Sequence, residues 1–394
     1  MLVVCEMPDY DVLIAGGSVS GLLAAREIAA GGLSVAVVEE DAEIGTPEHC
    51  GGLVSINGIR NLGIVPDANT IENDKIARAK IFSPSSCFEI NAKNQKVMVL
   101  DRRAFDKQIA FQAQKNGAEI RVRCSMRSFV KESSQYVVKT SEGDLSCNYF
   151  VDARGVSSII SRIRGAVLHS AQYELYAPWI ERDTIEVALD SERYPGFFAW
   201  IIPTDRGKAK VGVAGRGINA ARALRSYIES KGTHSVVRKI YASIWVNGPL
   251  QNFVSDKMII VGDAAGQSKP TTAGGIYSCG MGGVLGGRAV VEASAKKNDD
   301  NGLLLRQYEN EWLSIFKAEF EKMLLARRLL ERLDNKAIDD LVAAISPESL
   351  EQASLNGDFD FHSTAIAKIL GTKAAAKIAK ALLGNEIRRL IEGS

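Results

Sequence analysis

The sequence predicts an α/β fold in three parts: a strand–helix–strand unit at the start, an antiparallel sheet in the middle, and helices after residue 296. Three observations predict it. A glycine turn separates two short β-branched runs in the first forty residues. Strand-like runs with a tight turn between them fill residues 184–215. A 3.6-residue apolar period begins near residue 304.

Composition narrows the function before any motif does. The chain has 394 residues, 46% of them hydrophobic, enough for two or three packed domains with a full core. Lysine and arginine number 48 against 47 acidic residues, so no global field draws the protein to nucleic acid or acidic lipid. The six cysteines (Cys5, Cys50, Cys87, Cys124, Cys147 and Cys279) show no CxxC spacing, which argues against a zinc ribbon, an iron–sulfur set or a secreted disulfide scaffold; no metal site is expected. Few residues precede the first strand, and Glu6, Asp9 and Asp11 interrupt them, so no signal peptide is expected and the cytoplasm is the default compartment.

The first unit reads Val12–Ala15 as a strand, Leu22–Ala30 as a helix and Val35–Val38 as a second strand. Its turn, Gly16-Gly17-Ser18-Val19-Ser20-Gly21, places backbone N–H groups at a helix N-terminus where a pyrophosphate can approach without Cβ obstruction. Ser18 stands at the middle glycine position, a small departure. Glu39, with Glu40 beside it, follows the second strand, where a carboxylate accepts hydrogen bonds from an adenosine ribose and disfavours a 2′-phosphate. This Rossmann-type unit therefore suits FAD or NAD better than NADP. No second fingerprint of the same kind is present, since Gly212–Gly217 follows a strand but lacks the second strand, so an electron donor is expected to dock transiently.

Later, Met258–Val261 form a buried-strand pattern closed by Gly262 and Asp263, and Pro270, Gly274 and Gly275 lead into a glycine-rich helix. Here the sequence resembles the second FAD signature of flavoproteins related to p-hydroxybenzoate hydroxylase. The resemblance implies that Asp263 holds the ribityl chain or ribose, and that the helix N-terminus behind Gly274 and Gly275 faces the flavin pyrimidine. Two further stretches resemble the same superfamily: the strand-to-helix segment with Arg102, followed by Phe105 and Asp106, and the segment with Asp152, Gly155 and Ser158. The run Thr271 to Val291 carries no charge before Arg288, but its glycines suit a helix packed closely inside a fold better than a membrane span.

Between these signatures, residues 184–190, 196–203 and 208–215 read as strands, the last two joined by a Thr-Asp-Arg-Gly turn. The stretch from Tyr194 to Gly215 resembles the aromatic-Trp-Pro strand of geranylgeranyl reductases, including those acting on archaeal ether lipids. Phe198, Trp200 and Pro203 match, while the family's glycine pair is spaced differently here, as Gly212 and Gly215. On that resemblance, Tyr194, Phe198, Trp200, Pro203 and Gly212 shape the channel for a prenyl chain. By strand alternation Phe198 and Trp200 share a face and Phe197 points away.

The stretch His49-Cys50-Gly51-Gly52 resembles the family's cysteine-glycine loop beside the flavin. The resemblance implies that Gly51 and Gly52 let backbone approach the ring while Cys50 faces the substrate. Saturating an isolated alkene needs a hydride on one carbon and a proton on the other, and Cys50 or His49 is the candidate proton donor. An inert buried thiol is the plain alternative.

After the linker at 296–302, Leu304, Tyr308, Trp312, Ile315, Phe316, Phe320 and Leu324 fall on one helical face. A helix start is read at Ser346-Pro347-Glu348. The last segment carries Lys373, Lys377, Lys380, Arg388 and Arg389 among apolar residues, a pattern suited to a solvated face or to rest on a lipid surface.

The resulting expectation is an α/β protein with a discontinuous Rossmann-type FAD-binding domain (1–165 and 255–295), an antiparallel β-sheet substrate domain (166–254) and a C-terminal helical region (296–394). Its expected activity is FAD-dependent reduction of geranylgeranyl double bonds in isoprenoid ether lipids, with NADPH or reduced ferredoxin as donor and peripheral contact with the membrane. The alternatives are an aromatic or quinone-directed monooxygenase and a flavin electron-transfer dehydrogenase acting on quinone.

Overall fold

The computed structural model describes residues 7–162, 167–296 and 302–363. Cys5, most of the 296–302 linker and the basic segment from Lys373 to Arg389 lie outside the described residues.

The β-branched run Val35–Val38 is a strand with all four residues buried, and Tyr10–Ala15 lies parallel to it. On the other side Tyr10–Ala15 pairs parallel with Gly143–Asp152, which in turn pairs with Met258–Ile260; Glu119–Arg121 flanks Val35–Val38. Side chains on both faces of such a sheet must be covered, which is why these strands read as continuous apolar runs. The helix Val19–Ala30 supplies one cover and rests against the glycine-rich helix Ile276–Ala295. A Cβ at Gly283 would lie 2.1 Å from the Ser20 carbonyl oxygen, so the glycines allow two backbones to touch. Among the described residues no helix is long and apolar enough to cross a membrane.

The second sheet has seven strands, in the order Ser235–Trp245, Val167–Tyr176, Lys208–Gly215, Ala199–Asp205, Thr184–Ala188, Arg78–Phe82 and Cys87–Asn91. Its neighbours are antiparallel except Thr184–Ala188 and Arg78–Phe82, which run parallel. The sheet thus takes two strands from within residues 1–165 and is not confined to 166–254. The expected turn joins Ala199–Asp205 to Lys208–Gly215, with Gly207 at φ +68°.

The expected strand from residue 196 is corrected. The strand begins at Ala199, because Gly196 at φ +72° and a bond from the Phe197 N–H to the Tyr194 carbonyl (2.9 Å) turn the chain just before it. Pleat alternation has not started at Phe197 and Phe198, and their rings stack on each other with centroids 4.1 Å apart. They do not point to opposite faces.

A small third sheet, Leu53–Ser55 with Val97–Leu100 and Ile71–Asn73, anchors the chain that follows Cys50. The long helix Leu303–Leu330 buries Tyr308, Trp312, Phe316 and Phe320, four residues apart, into the core beneath the parallel sheet. Ile315, read as part of that face, is 38% exposed, because the buried stripe follows the i, i+4 row. Ser346 caps the helix Pro347–Asn356 by accepting the Ser349 N–H.

Candidate active site

The glycine turn sits tightly against the end of Gly143–Asp152. Gly16 has φ +109°, and a Cβ there would lie 2.3 Å from the Ala153 carbonyl oxygen. Glu39 closes the turn from the second strand: one carboxylate oxygen accepts the Gly17 N–H at 2.6 Å and the other accepts the Asp41 N–H at 2.9 Å. Burial raises its pKa, opposed by these two bonds. Glu40 is exposed beside it. Ser18 is the N-cap residue of Val19–Ala30, but its hydroxyl makes no capping bond; it lies 3.4 Å from Arg102 Nη2. Below the turn, Asp152 accepts from Arg154 and from the Ser158 hydroxyl (2.7 Å).

Arg102 opens the helix Arg102–Lys115, whose N-cap Asp101 accepts the N–H groups of Arg103 and Ala104. Its guanidinium forms a two-pronged pair with buried Asp106, at 2.9 and 2.8 Å. Burial alone would lower the Arg102 pKa, but Asp106 and the Cys50 thiol more than reverse it, so the cation is held. Across the site, Asp263 is half-buried and accepts from the Cys279 thiol at 3.2 Å. Burial pushes its carboxyl upward, opposed by Cys279, Ser268 and the charge of Arg102. A Cβ on Gly275 would stand 2.7 Å from the Cys279 sulfur, and one on Gly274 would stand 3.2 Å from the Lys269 side chain. The fold therefore brings Ser18, Cys50, Arg102, Asp263, Gly274 and Gly275 together from distant parts of the sequence.

These residues fit FAD. Unobstructed N–H groups at a helix start suit a pyrophosphate, and Glu39 retains lone pairs for a ribose. Asp263, a half-buried carboxylate bonded by the Cys279 thiol and the Ser268 hydroxyl, has acceptor capacity left for a polyol hydroxyl.

The cysteine loop is held from two sides. Gly52, at φ +78°, donates its N–H to the Cys50 sulfur at 3.3 Å, and a Cβ there would lie 2.3 Å from the Leu100 carbonyl oxygen. Above, Gln172 donates to the Cys50 carbonyl at 3.2 Å and accepts from Trp200 Nε1 at 3.1 Å. Trp200 can lie there because Gly212 opposite it has no side chain: a Cβ would be 2.2 Å from its ring. Gly51 borders Ile202 and Gln172. Below, Glu48 is buried and accepts the Arg102 N–H (3.1 Å) and Lys210 Nζ (2.5 Å), and Lys210 also pairs with Glu72 at 2.7 Å. Although burial opposes it, the two carboxylates keep the Lys210 pKa raised. His49 lies at the loop's surface, its pKa lowered by partial burial and by Arg102, with Asp41 opposing.

Other sequence candidates fall elsewhere. Tyr194 is buried in a separate core, edge-on to Tyr227. The Pro203 carbonyl accepts from Asn73, tying the second sheet to the third. Phe198 packs with Phe197 and Trp200.

Several residues escape a reading of the sequence: Glu48, Gln172, Lys210, Lys269 and Arg327. Asp106, named there only as following Arg102, lies four residues after it on the helix, the spacing of a side-chain pair. Lys210 carries a signal too, a charge within an apolar strand. Arg327, on the long helix, donates to the carbonyls of Gly196 (2.7 Å) and Pro270 (3.3 Å), joining the aromatic turn to the loop after Asp263.

Residues 9–281 match the FAD binding domain family. The chain belongs to that family. Across 368 residues this FAD-binding protein is 28% identical to digeranylgeranylglycerophospholipid reductase 2 of Methanopyrus kandleri, covering 87% of this chain and 92% of that protein. It is 29% identical to reductase 1 of the same organism, covering 87% and 96%. Among solved structures, a geranylgeranyl bacteriochlorophyll reductase-like protein from Thermoplasma acidophilum shares the fold with a TM-score of 0.83 at 24% identity, over 94% of this chain and 98% of that one. FAD is the cofactor of this FAD-binding domain protein, which is an FAD-dependent oxidoreductase.

Proposed function

We propose that this protein saturates carbon–carbon double bonds of geranylgeranyl chains carried on isoprenoid ether lipids. The observation that carries the reading is similarity along almost the whole chain to two proteins named digeranylgeranylglycerophospholipid reductase. The position of the Cys50 loop supports it, between the cradle of Ser18, Arg102 and Asp263 and an apolar chamber lined by Leu53, Ile59 and Phe316.

When bound, FAD in its reduced form supplies the hydride. The chain's own residues must then hold the alkene, exclude water and deliver a proton to the second carbon. We assign the delivery of that proton to Cys50, a reading supported by its half-buried thiol beside Arg102 and by the bond it accepts from the Gly52 N–H. His49 is the weaker donor at neutral pH, because its lowered pKa leaves the ring neutral. Gln172 and Trp200 set the height of the loop, and the Glu48–Lys210–Glu72 cluster fixes its base. The reductant is NADPH or reduced ferredoxin, docking transiently, and the enzyme works at the cytoplasmic surface of the membrane that holds its lipid.

Anaerobic reoxidation tests the reading. Chemically reduced protein mixed with a digeranylgeranyl lipid should regain the yellow of oxidised flavin without oxygen. A reduced flavin that persists until air is admitted, together with lipid-stimulated oxygen uptake, would point instead to a monooxygenase.

A further inference from the structure

The largely apolar chamber beside Cys50 is narrow and only partly enclosed. Leu53, Ile59, Tyr277, Phe316 and Phe320 line it, with Gly274 and Gly275 on the cradle side, and its free volume is only about 40 Å³. A site for a small organic molecule takes roughly 300–1,000 Å³. A twenty-carbon chain cannot enter while the wall stands as it does.

Phe359 and Asp360 complete that wall. They belong to residues 357–362, which form no helix or strand after Pro347–Asn356. Polar contacts tie the segment down. Asp360 accepts from the Ser55 hydroxyl and lies 3.7 Å from Lys269 Nζ, which also donates to the Phe359 carbonyl at 3.0 Å. Thr271 Oγ1 lies 2.6 Å from His362 Nε2, and Glu319 accepts the Ser363 N–H at 2.6 Å. Its rings hold it as well: Phe361 stacks on Phe316 at 5.7 Å and meets Tyr277 edge-on at 6.4 Å, while Phe359 lies beneath Lys269 at 4.4 Å and packs against the cluster of Val97, Val99 and Ile202. These ties are few and mostly made by side chains, and no helix or strand hydrogen bonds run along residues 357–362, which makes the segment less stable than the helices around it.

We infer that residues 357–363 are a latch over the binding site of an apolar polyisoprenoid chain, and that withdrawal of Phe359 and Asp360 opens the way to Cys50. The inference rests on the proposed function for its ligand and on the chamber and its ties for its geometry. The aromatic wall supplies rigid apolar contact at little entropic cost, and the latch shuts water out once the chain is seated.

Two readouts on the FAD-loaded protein test it. In Asp360→Ala, and separately in Thr271→Val, backbone hydrogen exchange of residues 357–363 should quicken by about tenfold or more, as expected for the loss of a charge-assisted or buried hydrogen bond. The flavin spectrum should not change. Capture of geranylgeraniol, followed by fluorescence of Trp312, which lies within 5.2 Å of Phe316 and Phe320, should quicken in parallel. Unchanged exchange in both variants overturns the latch, and faster exchange with unchanged capture overturns its role as a gate. An opened variant that captures no geranylgeraniol overturns the site; if the wild-type protein still saturates a digeranylgeranyl lipid, the proposed function survives that failure.

Discussion

Trp200 Nε1 donates to Gln172 Oε1 at 3.1 Å, and the other end of the same amide holds the Cys50 carbonyl at 3.2 Å. Gln172 is 5% exposed, so neither end can turn to water. Trp200→Phe keeps a ring over Gly212 but strands a buried amide oxygen, at a cost of about 1–3 kcal/mol. Denaturant unfolding should show that loss. Turnover should fall with FAD retained, because the loop carrying Cys50 loses its upper support.

Lys210 is the only cation within 3 Å of both Glu48 and Glu72 among the described residues. Lys210→Met leaves two carboxylates facing each other without it, and breaking a buried pair in this way costs about 3–5 kcal/mol. The triple variant with Glu48→Gln and Glu72→Gln should recover much of that loss. Chemical denaturation of the two variants side by side checks the expectation; equal midpoints would show that the cluster does not fix the loop.

Cys50→Ala should leave flavin binding intact, since the cradle retains Ser18, Arg102 and Asp263. It should lower turnover or alter how many double bonds are saturated. Product masses and single-turnover rates decide this, and a wild-type rate with a wild-type profile would remove Cys50 from the chemistry.

Burial and the nearby Lys269 push the His362 imidazolium down to about 3, against an ordinary value of 6.5. The closed latch therefore refuses a proton that the opened segment accepts. Its stability is fully present above pH 6.5 and is lost as pH falls from there toward 3, with up to about a tenfold shift in the opening equilibrium per pH unit. Asp360, Glu319 and Thr271 are the other groups at this contact. Hydrogen exchange of residues 357–363, corrected for its intrinsic pH dependence, should report faster opening at about pH 5 than at about pH 7. His362→Gln should abolish the difference.

Legibility in the sequence follows how local the cause is. The unit from Tyr10 to Glu39 is contiguous, and its glycine turn, β-branched strands and closing acid are dictated by neighbours in sequence, so the reading and the structure agree closely there. The strand after Gly196 starts later than its composition suggests, because one left-handed glycine delays the pleat by three residues. Arg78–Phe82 and Cys87–Asn91 give no sign of belonging to the second sheet, because the pairing that recruits them is with Thr184–Ala188, a partner that local alternation cannot reveal. Gln172 and Lys210 look like isolated polar residues on strands until the fold sets them against Cys50 and Glu48. The spacing of Tyr308, Trp312, Phe316 and Phe320 announces a buried face, but not that Phe316 and Phe320 meet a chamber bordered by Phe359.

Mass measurement of the lipid tests the central claim most directly. Chemically reduced protein, incubated without oxygen with a digeranylgeranyl lipid, should yield products heavier by two hydrogens for each bond saturated, with the flavin oxidised in step. A lipid recovered at its starting mass beside fully reduced flavin would contradict the account.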